Sequence, residues 1–571
     1  MVDAGQSSTD ASPPSSRWSA PIALGLWLVV YGTLQFGSLG HPLFWQDEGE
    51  TAMFGRRILE SGYPKVHGRE GVVYGMGVPL ETAVDPETDA YLGSLWGQYY
   101  LAAVGVAWSD GAVDDHSRTR RVRLPFVLTG IAGLFLLLLA MRPELAARTG
   151  SAMPGMAFFV LLSCLAISLQ LHLREARHAG PTVGLVGLAI LLDRLRLRES
   201  SRTSARIAIA CALALVVWLL INVFYPAAAA LMVWIGVEAA VAAWRAWRTG
   251  TSAGRRFAER IAPIGLAALA SIPVFARFDV LELSQIYSER WSFGPDVYLG
   301  NLAHVLQFLW RHELLAAALL IEVLIVITRA SAGGRVEPAH RAALSLWRLI
   351  VVYALIGARN PIFFERYFVV LGPLLALILV LDVEVLLARF GPAPGRHSAR
   401  GARRLLAATL VLVLGTTLVV RRNELVGRLR EIAVPVEGPI DRIVADLRAR
   451  HADPAALVIA TNYEAEPLMF YLGSEVVGRF HSGDPEAIAA ERAVLPDVVI
   501  PRTGHARRLG EVRRYLLSGG FVRRALAIGD TPYNSIPELY EGRLLDQTHW
   551  FVTRRPGPDL PPVSIYERVG D

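Results

Sequence analysis

Cysteine is nearly absent from this chain of 571 residues, which has only Cys164 and Cys211. Both fall inside apolar segments, so they read as small core residues rather than as a disulfide, and the redox compartment stays open. Charge is scarce too, at 19% Asp, Glu, Lys and Arg against 53% hydrophobic residues. That balance excludes a disordered chain and argues against an ordinary soluble enzyme. Lysine occurs once, at Lys65. Glycine-rich phosphate loops of the P-loop or dinucleotide kind are missing. His67, His116, His172, His178, His304 and His312 are scattered, without the tight spacing of zinc sites. No cofactor and no metal are expected, although Asp47 and Glu48 could together contact a divalent cation beside phosphate.

What the chain has instead is apolar length. Mean hydropathy is +0.38, and runs of roughly 17–25 apolar residues, enough to cross a bilayer, recur from residue 20 to residue 420. Candidate spans are 20–40, 123–141, 152–171, 181–195, 205–222, 226–244, 261–277, 313–328, 345–358, 367–388 and 404–420. Net charge is +6, from 57 basic and 51 acidic residues. The arginines gather in alternate short loops, for example Arg194, Arg196, Arg198 and Arg202, then Arg245, Arg248, Arg255, Arg256 and Arg260. This pattern speaks of membrane topology and not of nucleic acid. It predicts a cytoplasmic N-terminus and, with about eleven spans of the length a bilayer requires, an extracytoplasmic C-terminus.

That topology holds only if Tyr91–Trp108, crowded with Trp96, Tyr99 and Tyr100, lies on the outer surface as an interfacial helix. The first outer loop then runs over 41–122. Residues 1–19, rich in Ser, Asp and Pro, read as a disordered cytoplasmic tail. After residue 420 the pattern changes. Pro439–Arg450 has an amphipathic helical period. Ala456–Ala460, Val494–Ile500 and Phe521–Ile528 look like strands, alternating with helical stretches such as Glu464–Tyr471. The expected architecture is a mainly α, polytopic membrane helical bundle over 20–420 with interfacial helices, and an extracytoplasmic α/β domain over 421–571.

The densest chemistry lies in Phe44-Trp45-Gln46-Asp47-Glu48-Gly49-Glu50, just past the first span, followed by Arg56 and Arg57. Acids at a membrane boundary are costly to desolvate, so they face water, find partners or do chemistry. Asp47 and Glu50 have capping-box spacing, and Gly62 and Pro64 are stop signals for the helix that follows. The spacing fits a capped surface helix and a pre-oriented general base equally well. Leu173-Arg174-Glu175-Ala176-Arg177-His178 offers two guanidiniums to a phosphate, or to lipid headgroups. Asn360-Pro361-Ile362-Phe363-Phe364-Glu365-Arg366-Tyr367 precedes a span and reads as a further phosphate contact or as an aromatic-belt boundary.

Taken together, the W-x-D-E opening, the helix ending G-R-R-I-L-E-S-G-Y-P, the R-x-A-R segment and the Arg-Tyr pair resemble membrane glycosyltransferases of the GT-C superfamily. The nearer likeness is to the protein O-mannosyltransferase and aminoarabinose-transferase branch. The resemblance implies transfer of a sugar from a polyprenyl-phosphate donor to a lipid, glycan or protein acceptor at the outer face of the cytoplasmic membrane, among membrane lipids. It places catalysis on Asp47 with Glu48 supporting. Donor phosphate contacts fall to Arg56, Arg57, Lys65, Arg174, Arg177 and Arg366, with Glu175, His178 and Tyr367 as supporting groups. Relatives often carry a Lys-Pro-Pro-like segment where this chain has Tyr74-Gly75-Met76-Gly77-Val78-Pro79. In the C-terminal region, Asn462-Tyr463-Glu464 and Tyr533–Tyr540 are candidates for acceptor binding. A transporter or lipid flippase is the alternative. Against it stand the lack of an internal repeat and of charges deep within several spans.

Overall fold

The computed structural model describes residues 19–74, 80–147, 150–197, 203–290, 293–332, 336–360, 364–389, 411, 415–478, 480, 484–503, 508–518, 520–530 and 561–569. The expected tail, most of the eleventh span, Gly75–Pro79, Pro361–Phe363 and Tyr533–Tyr540 lie outside them.

Helix α1 (Ser19–Phe36) leads into α2 (Gln46–Ser61), and α3 (Gly97–Ser109) precedes the long α4 (Asp115–Ala146). Next come α5 (Met153–Leu165), α6 (Ile167–His172), α7 (Ala179–Arg196), α8 (Thr203–Val223), α9 (Tyr225–Arg248), α10 (Ala253–Arg277), α11 (Val280–Arg290) and α12 (Pro295–His312). The bundle closes with α13 (Leu315–Ala332), α14 (Pro338–Gly357) and α15 (Leu371–Arg389). Among the described residues six helices, α4, α8, α9, α10, α14 and α15, are long and apolar enough to cross a membrane. The chain is a multi-pass membrane protein. Helix α15 is its central post, buried from Leu371 to Leu386.

The expected span 152–171 is two helices, broken at Ala166 (ψ 97°). A break inside a bundle frees backbone groups that must be re-satisfied. Here the Gln170 side chain donates to the Ser163 carbonyl (2.8 Å), and Gln35 donates to Gln170 (2.6 Å). The interfacial segment is α3, which packs on α2 and α4 and leaves Tyr100, Val104 and Trp108 exposed one turn apart. An apolar stripe at that spacing is what a helix bordering lipid presents.

The C-terminal region contributes α16 (Arg422–Ala433), α17 (Pro439–Arg450), α18 (Ala465–Leu472), α19 (Pro485–Ala493) and α20 (Leu509–Tyr515). Its strands are β3 (Val458–Thr461), β4 (Glu475–Val477), β5 (Val498–Ile500), β6 (Phe521–Gly529) and β7 (Pro562–Arg568). They do not form a sheet alone. The first loop adds β1 (His67–Gly68) and β2 (Gly71–Val72), giving the order β1-β2-β4-β3-β5-β7-β6. Strands β2, β4, β3 and β5 run parallel, and the pairings of β1, β7 and β6 are antiparallel. One hydrophobic core unites Phe44, Met53, Phe54, Tyr91 and Tyr99 of the first loop with Ile443, Leu468, Phe470, Val476 and Ile565. The loop and the C-terminal region are therefore packed as one body.

Their junction carries titratable groups. His41 stacks on His116 (ring centroids 3.8 Å apart), and Asp441 accepts from the amides of Gly438 (2.8 Å) and Leu43 (3.2 Å). Burial, then His116 and Arg123, push His41 down from 6.5 to about 4. Burial pushes Asp441 up from 3.8 to about 6, against the pull of Gly438 and His116. As pH falls from 6.5 toward 4, the unfolded chain protonates its histidine first, so His41 costs stability there. As pH rises from 3.8 to 6, the folded chain keeps a proton the unfolded chain has lost, so Asp441 costs stability in that direction. The two oppose each other across a shared window. Relative to wild type, Asp441→Asn should be worse off at about pH 4.5 than at about pH 6.5, and His41→Gln better off. Thermal unfolding at both pH values checks this, and responses of the same sign would refute it.

Candidate active site

Helix α2 begins at Gln46 and places Asp47 and Glu48 in its first turn. The expected capping box is not formed. The N-cap is Trp45, which makes no side-chain cap bond, so Asp47 already stands inside the helix. Acids there still complement the exposed amide ends of the turn. The stop is as expected, with Gly62 left-handed at φ 84° and its amide on the Ile58 carbonyl. The rest of α2 is clamped. Gly49 lies against Pro467 of α18, and Gly55 against Ala102 of α3, with no room for a Cβ at either contact.

Asp47 is oriented by guanidiniums from two distant segments. Arg177, between α6 and α7, reaches Asp47 Oδ2 with Nη2 (3.2 Å). Its Nη1 donates to the Asp47 carbonyl and to Thr51 Oγ1, both at 3.1 Å. Arg366, from the 3-10 turn Glu365–Phe368, donates through Nη2 to the same Oδ2 (2.9 Å). The Asp47 side chain keeps 22% exposure, while that of Arg366 keeps 5%. Desolvation alone would favour deprotonating Arg177, but Asp47 and Glu50 outweigh it and hold the guanidinium charged. Arg366 lies over Phe364 (4.3 Å) and Trp45 (5.3 Å). Its Nε and Nη1 are buried with no hydrogen-bond partner. Buried donors are nearly always satisfied, so two idle ones on a cation call for an acceptor from outside the protein.

His178 and Tyr367 wall the same place. His178 stacks on Phe224 (4.4 Å) and lies 5.6 Å from the Tyr367 ring. Burial, then Arg177 and Arg366, push its imidazole well below the usual histidine range, so it is neutral.

Other expected members go elsewhere. Glu48 is fully buried; Arg123 grips both its oxygens (2.8 and 2.6 Å), and the Ala176 amide donates to Oε1 (2.8 Å). It has no face left for a substrate, and the expected supporting acid is a strut instead. Arg123 also donates to the carbonyls of Leu39 and Pro42 (2.9 Å each), tying α4 to the segment that enters α2. Arg56 donates to the Phe470 carbonyl (2.7 Å) and lies over that ring, where burial and Arg118 lower it to about 10. Arg57 is bonded to Glu70 (2.6 Å). Arg174 donates to the Leu34 carbonyl (2.7 Å), and Glu175 meets His172 (3.2 Å). Lys65 bridges to Ala90 beyond Ser61, the end of α2 about 21 Å along its axis from Asp47. Sequence reasoning missed Arg123 altogether. The signal was an arginine at the lip of an apolar run, where an unpaired charge is costly.

No protein-family model matches the chain, and no curated protein does. Among solved structures it is similar to ArnT from Cupriavidus metallidurans bound to undecaprenyl phosphate. The TM-score is 0.53 at 16% identity, covering 96% of this chain and 99% of that one. The chain shares the fold of that structure. The same ArnT in the apo state gives a TM-score of 0.49 at 15% identity, covering 96% and 98%. The oligosaccharyltransferase of Archaeoglobus fulgidus in the apo form gives 0.45 at 10% identity, covering 89% of this chain and 70% of that one. In this protein the Asp47 cluster stands where the bundle meets the body built from the first loop and the C-terminal region.

Proposed function

We propose that this protein is a polyprenyl-phosphate-dependent glycosyltransferase acting at the extracytoplasmic membrane face. The observation that carries the reading is the pair of unspent, buried donors on Arg366, one bond away from the partly exposed carboxylate of Asp47. Phosphate oxygens would satisfy these donors, one on each guanidinium edge, since guanidinium N–H groups match phosphate oxygens. The fold likeness to ArnT bound to undecaprenyl phosphate supports a lipid-linked phosphate as that anion.

In this reading Asp47 takes the proton of an acceptor hydroxyl, whose oxygen attacks the anomeric carbon. The glycosidic C–O bond to phosphate breaks, and polyprenyl phosphate leaves with the electron pair. Arg366 and Arg177 balance the negative charge that grows on the departing phosphate. Neutral His178 and Tyr367 form the wall beside it. Glu48 serves only to hold α2 in place.

The test is sugar transfer from a polyprenyl-phosphate donor by purified protein in lipid nanodiscs. Arg366→Ala should lower kcat/KM by about 100-fold or more, the loss typical of one charge-stabilising donor. Lys65→Ala should stay within about twofold of wild type, since Lys65 follows Ser61, the far end of α2 from Asp47. An Arg366→Ala enzyme with undiminished transfer would refute the phosphate assignment.

A further inference from the structure

Among the described residues, Glu322 on α13, His340 on α14 and Asp382 on α15 bring three ligand atoms within 4.8 Å of one another. We propose that they form a binding site for a divalent transition cation, zinc or manganese by chemistry, at the end of the bundle opposite Asp47. His340 stands in the first turn of α14. The helix end that leads toward Arg366 is Gly357, about 25 Å further along the axis. The site is therefore separate from the transfer centre.

The argument begins with charge. His340 Nδ1 lies 3.5 Å from Asp382 Oδ1, and its Nε2 lies 3.7 Å from Glu322 Oε1. Asp382 is wholly buried and His340 is 2% exposed. Among the described residues, the two acids that meet this one imidazole have no arginine or lysine as an ion-pair partner. Arg389, which packs on the same helix α13, is already engaged. It holds Glu337 with Nε (2.9 Å) and Nη2 (3.1 Å), and Nη1 donates to Ile325 and Thr328 (2.9 Å each). Acids inside a span are expensive unless paired, and a bound cation would supply the missing partner.

The second observation is the orphaned acceptors. Asp382 Oδ2 and Glu322 Oε2 are buried and have no hydrogen-bond partner. Such atoms call for a bound group. One nitrogen and two carboxylates are a familiar donor set for zinc, with a fourth position left for water. One ring nitrogen of His340 and one oxygen from each acid lie within 4.8 Å of one another, and a shared ion at about 2.1 Å from each would draw them to about 3.4 Å apart. Each ligand comes from a different helix, so a bound ion would fasten α13, α14 and α15 to one another.

The experiment uses the full chain in nanodiscs, treated with chelator and then titrated with Zn²⁺ or with Co²⁺ as a coloured probe. Wild type should take up about one ion more per chain than the Glu322→Gln/Asp382→Asn double variant, with at least about 100-fold tighter binding. Its melting temperature should rise on adding metal, and the variant's should not. Equal uptake and equal melting response in both proteins would overturn the proposal and leave His340 as an imidazolium held between two acids. Wild type that gains neither metal nor stability would overturn it without reference to any variant.

Discussion

Asp47→Asn should lower the rate of sugar transfer by about 10²–10⁴-fold, the range lost when a positioned general base is removed. The amide keeps the volume and an acceptor oxygen for Arg366 and Arg177, so geometry is preserved while the basic site is gone. Donor affinity should move the other way. With Asp47 neutral, Arg177 and Arg366 no longer share their charge with a protein carboxylate and have more to offer a phosphate. KM for the lipid-linked donor should therefore stay level or fall while kcat collapses, a signature of lost transition-state chemistry and not of lost binding. Melting temperature should fall modestly at most, because the amide oxygen still accepts from the two guanidiniums and Asp47 itself is partly exposed. Retention of transfer within about threefold of wild type would remove Asp47 from the catalytic role.

Glu48→Gln should fail in a different way. It leaves Arg123 buried with its charge uncompensated, and breaking a buried pair by neutralising one partner costs about 3–5 kcal/mol. Yield of folded protein and melting temperature should drop sharply, while the transfer rate per folded molecule stays near wild type. Converting both members, Glu48→Leu with Arg123→Met, should recover only part of the loss. The charge problem disappears, but the Leu39 and Pro42 carbonyls lose their donor, at about 1–3 kcal/mol each. A Glu48→Gln protein that is stable yet inactive would overturn the structural role and return Glu48 to the chemistry.

The contrast between these adjacent acids explains what was legible in the sequence. Hydropathy located most helices of the bundle, though not α11 and α12, because span length is set by bilayer thickness and is a local property. The first ten expected spans all fall on helices. Helix α17 has the residues its amphipathic period predicted, and three strand positions were close. The break at Ala166 escaped notice because it depends on a glutamine from the following turn filling a carbonyl. Strands β1 and β2 were invisible because two-residue strands have no period of their own and exist only against β4. At the site, the acid cluster and its arginines could be listed, but not sorted. Asp47 and Glu48 differ by about 100° around one helix. One therefore meets Arg366 and solvent, while the other meets Arg123 in the core.

The sheet that joins the first loop to the C-terminal region also imposes an order of events on the growing chain. The Phe44 amide donates to the Tyr471 hydroxyl across 427 residues of sequence. At about 5–20 residues per second of synthesis, the segment bearing Asp47 waits roughly 20–90 s for the partners that complete its core. During that interval Phe44, Phe54 and Tyr91 lack their covering layer, and α2 has only α3 and the early helices to lean on. The surroundings of Asp47 are thus completed late, once the C-terminal strands are made, and a prematurely terminated product inserts its first helices without the layer that covers them.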